Sequence, residues 1–174
     1  MLNPAESTIE AWPPAALDIR IRTATMRDYD ELCALFDELD ALHRVARPEM
    51  FQEFDGPARS REHVARLLAD RESTILVAGA ADGLAGLAVL LSRPASSFEG
   101  AVPRRVIELD NLVVRETSRG RRVGRRLLSA AVEWARQRRA THVEVAVHEF
   151  NADAIRFYSA FGFAPSVKRM LLAV

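Results

Sequence analysis

The stretch from Arg115 to Ala131, RETSRGRRVGRRLLSAA, holds six arginines and two glycines where a helix begins. A helix N-terminus is already the positive end of its dipole, so arginine there costs stability unless an anion arrives. The free backbone N–H groups of a helix start are phosphate binders. They serve best after a strand and a glycine-containing loop. Here NLVV reads as the strand, RETSRGRRVG as the loop and first turn, and RRLLSAAVEWAR as the helix. Gly120 lets the chain turn sharply, and Gly124 removes a side chain where a ligand would press on the backbone. The chemistry indicated is pyrophosphate binding. No Gly-Lys-Ser/Thr follows these glycines, which argues against a P-loop. The segment also sits late in the chain and lacks Gly-x-Gly-x-x-Gly, which argues against a dinucleotide fold.

Other residues offer proton chemistry. Tyr158 lies in NADAIRFYSAFG, a short helix with Asn151 as N-cap and Gly162 as its stop. Ile155 and Phe161 share that helix face, so core packing also accounts for the ring. Glu108 and Asp110 stand two apart on the strand RRVIELDNLVV and, at period 2, face the same way. Either carboxylate suits solvation or an arginine partner. Either also suits deprotonation of an ammonium, directly or through water. His43 follows the first helix, in LHRVARPEMF, as a surface residue or a substrate contact. His63, His142 and His148 show no metal-ligand spacing, so no metal is expected. The single cysteine, Cys33, sits in an apolar helical pattern, which suits buried packing and allows no intrachain disulfide.

These groups need a scaffold. The chain has 174 residues, 49% of them hydrophobic, enough for one domain with a sizeable core. Net charge is +0, yet nine arginines from Arg115 to Arg139 face only Glu116 and Glu133, a local anion site in a neutral chain. DIRIRTAT alternates as a strand. TMRDYDELCALFDELDALH is a helix capped by Thr25 or Asp28, and ARSREHVARLLAD a shorter one. STILVAGA and LAGLAVLLSR are strands joined at Asp82–Gly83. RRVIELDNLVV follows, then the basic helix to about Arg139, with Val123, Leu127, Leu128, Ala131, Trp134 and Ala135 as its apolar stripe. THVEVAVHEF, the Tyr158 helix and a closing strand FAPSVKRMLLAV complete the order β-α-α-β-β-β-α-β-α-β. Two late β-α-β steps imply parallel pairing, and the middle hairpin antiparallel pairing, in a mixed sheet with helices on both faces.

Residues 1–17, rich in Pro and Ala, read as a flexible N-terminal arm whose Trp12 could dock on the body or on a second copy, leaving a homodimer open. There is no signal-peptide pattern, and no apolar run reaches the roughly 18 residues a membrane span needs, so a cytoplasmic protein without membrane contact is expected. The apolar stripe buries much of the basic helix and no aromatics interleave with its arginines, which argues against nucleic acid.

LDNLVVRETSRGRRVGRRLL followed by EVAVHEFNADAIRFYSAFGF resembles the GCN5-related N-acetyltransferases (GNAT). That family's pyrophosphate loop is Gln/Arg-x-x-Gly-x-Gly/Ala after a strand ending in an apolar triplet, and its second signature is N…A…FY…GF. The resemblance follows the element order over residues 18–172 and is specific over 105–163. It implies a mixed, mostly antiparallel central sheet of about six to seven strands, with residues 18–174 as the domain. It implies that Arg119, Gly120, Arg121, Arg122, Val123, Gly124 and Arg125 take the coenzyme A pyrophosphate. By the same resemblance Leu112, Val113 and Val114 pair with the pantetheine and hold the acetyl carbonyl, in a slot between parted parallel strands ending at Val114 and Phe150. Asn151 touches the coenzyme, Tyr158 is the general acid, Glu108 the base with Asp110 behind it, and His43 an acceptor contact. Arg122 replaces the family's middle glycine; arginine can adopt helical angles, so the backbone contacts are expected to survive beside a narrower ligand path. The implied function is direct acetyl transfer from acetyl-CoA to a primary amine of a small molecule or protein. The alternative is a non-catalytic acyl-CoA-binding or sensing module.

Overall fold

The computed structural model describes residues 18–172; the N-terminal arm and Trp12 lie outside them. The elements are β1 (Arg20–Thr23), a 3-10 turn at Met26–Asp28, α1 (Tyr29–Ala46), α2 (Arg61–Ala69), β2 (Ser73–Ala80), β3 (Gly83–Ser92), β4 (Val106–Val114), α3 (Val123–Gln137), β5 (His142–Val145) and α4 (Ala152–Phe161). One sheet runs β1-β2-β3-β4-β5. The first three pairings are antiparallel and β4–β5 is parallel.

β3 is central because it is apolar on both faces: every residue from Leu84 to Leu90 is buried. Alternation along the strands sorts the core into two layers. Leu76, Leu90, Ile107 and Leu109 meet Val123, Leu127, Leu128, Ala131 and Ala135, the stripe of α3. Ile75, Val77, Leu87 and Val89 meet Leu32, Leu35 and Phe36 of α1 and Val64 of α2 on the other face. Cys33 is buried in this second layer.

The entry to α1 is fastened by Asp28. Its carboxylate accepts from both Arg22 nitrogens at 2.7 and 2.8 Å and from the Thr25 amide at 2.7 Å. The Arg22 guanidinium, with the Thr25 donors, holds the Asp28 carboxyl down to about 2 although burial opposes this.

The sheet has five strands among the described residues, not six or seven. The segment FAPSVKRMLLAV forms no strand as far as Leu172; Val167, Met170, Leu171 and Leu172 are each more than 80% exposed. β5 is only four residues long, where THVEVAVHEF alternates over ten. Alternation marks a segment able to join a sheet, whereas the join itself depends on an available edge, and β5 leaves β4 before its own pattern ends.

Candidate active site

The β4–β5 ladder begins at Val106↔His142 and stops at Leu109↔Val145, while β4 runs on to Val114. At the same point β4 carries a bulge. Val89 of β3 faces Asn111 and Leu90 faces Leu109, so Asp110 is opposite no residue. An extra residue bends the strand, raises its twist and reverses the facing of everything after it. Ile107 and Leu109 pack towards α3 before the bulge, and Leu112 and Val114 do so after it, while Val113 joins the α1 layer. The two parallel strands therefore part, and the β5-side edge of Asn111–Val114 has no strand partner.

At the bulge the two carboxylates differ in pairing and exposure. Glu108 stays in the ladder, opposite Leu91 and Glu144, with its side chain 14% exposed. Asp110 is exposed at the bulge. Arg93 Nη2 lies 2.5 Å from Glu108 Oε2, a close charge contact without hydrogen-bond alignment, so Oε2 is buried and lacks a donor. Arg93 and Glu144 also line a cleft of about 1090 Å³ under the β3–β4 loop, with Phe98, Val102 and Arg104.

Beyond Val114 the chain reaches α3 through two left-handed residues, Gly120 at φ 74° and Arg122 at φ 62°, ψ 13°. Arg122 does not adopt the helical angles that would carry it through the turn. It holds the left-handed conformation that glycine adopts without penalty, one residue before the helix begins. No side chain caps α3, and its first turn carries no acid. The first helical hydrogen bond runs from the Arg126 amide to the Arg122 carbonyl at 3.1 Å, so the amides of Val123, Gly124 and Arg125 point out of the helix end. Gly124 sits between β4 and α4: a Cβ there would meet Val114 Cγ2 and Phe157 Cζ, each at 3.5 Å.

Much of the arginine run is used internally. Arg115 Nε donates to the Leu84 carbonyl at 2.9 Å, Arg119 Nε to the Val114 carbonyl at 3.2 Å, and Arg126 to the Ile19 carbonyl. Arg138 stacks 3.6 Å over Trp134. Arg121 and Arg122 stay exposed beside the open helix end.

Asn151 caps α4 as expected, its Oδ1 accepting from the Ala154 amide at 3.0 Å. Tyr158 is buried between Phe157 and Phe163, with ring centroids 5.3 and 5.5 Å away. Ile155, expected beside it, is exposed at 41%. Burial alone pushes the phenol up to about 12.

His43, at the end of α1, joins three residues that sequence reading did not place with it. Its ring centroid lies 5.2 Å from Phe51, 5.3 Å from His148 and 5.9 Å from Phe150. No local pattern links positions so far apart in the chain; the parted end of β5 brings them together. Among the described residues no group of three or more His, Cys, Asp or Glu is placed to hold a metal, and no helix is long and apolar enough to cross a membrane.

The site is thus a parted parallel pair beside an uncapped helix start. The acetyltransferase (GNAT) family model matches residues 36–163, and the chain belongs to that family. None of the curated proteins searched matches it. Among solved structures, a tetramutant of the BH1408 protein of Bacillus halodurans superposes with a TM-score of 0.84 at 24% identity, covering 89% of this chain and 99% of that one. A probable acetyltransferase gives 0.68 at 28% identity, covering 89% and 98%. An aminoglycoside acetyltransferase, meta-AAC0020, from an uncultured soil metagenomic sample gives 0.68 at 16%, covering 90% and 96%. The family places the chain among enzymes of acyl transfer.

Proposed function

We propose that this protein transfers an acetyl group from acetyl-CoA directly to a primary amine. The observation that carries the reading is the end of the β4–β5 ladder at Leu109↔Val145, with β4 continuing past it to an uncapped α3. The unpaired edge of Leu112–Val114 suits the amide groups of a pantetheine arm. The outward amides of Val123, Gly124 and Arg125 suit a pyrophosphate, with Arg119, Gly120, Arg121 and Arg122 forming the loop around it. Gly124 leaves room for the arm between Val114 and Phe157. The residues present therefore fit coenzyme A, which would supply a thioester carbonyl that an amine can attack.

The remaining residues deal with protons and charge. Glu108 Oε2, buried without a donor, suits an acceptor ammonium, and a buried acceptor left unpaired costs about 1–3 kcal/mol that such a donor would recover. Asp110, exposed in the bulge, is the less favoured carboxylate. Tyr158 returns a proton to the departing thiolate; its raised pKa keeps the phenol protonated, and therefore able to donate, across the physiological range. Asn151 caps the helix that holds Tyr158 and keeps its amide nitrogen for the coenzyme. The aminoglycoside acceptor of the metagenomic enzyme belongs to a protein 16% identical, too distant to name the acceptor here.

The test is a thermal shift with coenzyme A, ATP and NAD, followed by an acetyl-CoA consumption assay across an amine panel. Coenzyme A at 100 times Kd should add about 2.7 kcal/mol of stability. An equal shift from ATP would remove the coenzyme assignment. Binding without turnover on any amine would leave a coenzyme-binding module.

A further inference from the structure

Resting on that reading, we propose that the acceptor's ammonium gives its proton to Nε2 of His43, within the four-ring cluster of His43, His148, Phe51 and Phe150. The nitrogen is set by a hydrogen bond. His43 Nδ1 lies 2.9 Å from the Leu39 carbonyl oxygen, which can only accept, so Nδ1 carries a hydrogen. The lone pair of the neutral ring is then on Nε2. An imidazole locked in one tautomer by a backbone carbonyl is arranged as a proton acceptor.

The cluster borders the slot. His148 follows the last ladder residue of β5, Val145, and its carbonyl accepts the Asn151 amide at 2.9 Å, joining the rings to the cap of α4. Phe51 also lines an open hollow of about 400 Å³ with Ala41, Arg44 and Pro48, and His43, His148 and Phe150 are half-buried, so each keeps part of its surface exposed. Among the charged groups around His43, α1 and the residues after it bring Arg44 and Arg47, the latter paired with Glu49. The chain after β5 brings His148, and Glu149 paired with Lys168. Burial, then His43, then Arg47 lower the His148 pKa, which favours the neutral form of the ring beside His43. Glu108 suits the ammonium's charge rather than its proton, because the Arg93 guanidinium beside it already compensates the carboxylate.

R–NH3+ loses one proton to His43 Nε2, and the amine nitrogen bonds to the acetyl carbonyl carbon while the carbon–sulfur bond breaks. The second nitrogen proton ends on the thiolate through Tyr158, and His43 releases its own to water. An ammonium and a thioester become an amide, a thiol and one proton.

The experiment follows acetyl transfer from acetyl-CoA to phenethylamine, a primary ammonium carrying one ring, against pH. For the wild type, kcat/KM should fall on the acid side through one ionisation. His43→Gln should lose about 100-fold in kcat/KM and lose that ionisation, while coenzyme A affinity by calorimetry is unchanged. In His43→Ala, added imidazole should restore part of the rate, a rescue that a packing role would not give. Wild-type turnover with an unaltered His43→Gln pH profile, or no rescue by imidazole, overturns this inference alone. Inertness of the wild type across the amine panel overturns the transfer reading with it.

Discussion

The Arg93 guanidinium and the Glu108 carboxylate meet at 2.5 Å without hydrogen-bond alignment, so a buried carboxylate is charge-compensated and still short of a donor. Glu108→Gln keeps the shape and removes the charge. A hydrogen bond to a charged group contributes about 1.5–3 kcal/mol, so kcat/KM for the amine should fall roughly 10–100-fold while coenzyme A binds as before. Steady-state kinetics and calorimetry read the two quantities separately, and an unchanged kcat/KM takes Glu108 out of the acceptor site.

Gly124→Asp should abolish coenzyme A binding and spare the fold. A Cβ at this position makes only ordinary contacts of 3.5 Å with Val114 and Phe157, and an acid in the first turn suits the helix dipole. The new carboxylate would repel the pyrophosphate. Circular dichroism checks the fold and calorimetry the affinity; parental affinity would put the phosphate elsewhere.

Tyr158→Phe retains the ring and its packing against Phe157 and Phe163. Turnover should drop near the lower end of the roughly 10²–10⁴-fold range of a positioned acid, because water substitutes for part of its action. With the phenol pushed up to about 12, no alkaline loss of kcat below about pH 10 should belong to this residue. The kcat–pH profiles and melting temperatures of the two proteins decide between a proton donor and a packing role.

Arg122→Gly should stabilise the protein. Left-handed backbone costs a side-chain-bearing residue about 1–2 kcal/mol, and the added freedom of glycine in the unfolded chain returns about 0.5–1 kcal/mol of that. The net gain is ~0.5–1 kcal/mol, readable as a shift in the denaturation midpoint at constant slope. A loss of stability would mean that the Arg122 side chain holds the loop.

Asp28 ties stability to pH. Its folded pKa of about 2 lies below the ordinary value near 3.9, so its contribution is complete above pH 5 and disappears as pH falls through 2. Asp28→Asn should cost about 2 kcal/mol at pH 6 and almost nothing at pH 2. Urea denaturation at the two pH values checks this; a constant difference would make the Arg22 pairing irrelevant.

Much of the scaffold was legible because it follows from periodicity. The stripe Val123, Leu127, Leu128, Ala131 and Ala135 predicts α3 and the layer it covers, and the capping roles of Asn151 and Gly162 can be read at their positions. Asp110 shows the limit of that reading. A bulge is a relation between strands, and nothing in ELDNLVV says that Leu90 will pair with Leu109 and Val89 with Asn111. The left-handed angle of Arg122 likewise runs against the preference of the residue itself, so its type does not announce it. The ring cluster needed three separate segments, and Glu108–Arg93 needed the β3–β4 turn, so neither had a signature at short range. FAPSVKRMLLAV had the alternation of a strand and found no edge among the described residues.

The bulge puts β4 in two frames. Before Asp110 the odd-numbered residues face α3; after it the even-numbered ones do. Deleting that one exposed residue would restore a single frame and leave Leu112 and Val114 on the α3 side and Val113 on the α1 side, because the extra residue alone shifts the count. Both layers would keep their side chains, and the strand would lose the local bend and twist that accompany its parting from β5. Whatever the side chain at 110 contributes, the presence of a residue there bends the strand, so this position should tolerate many substitutions, and its deletion should spare the core and narrow the slot.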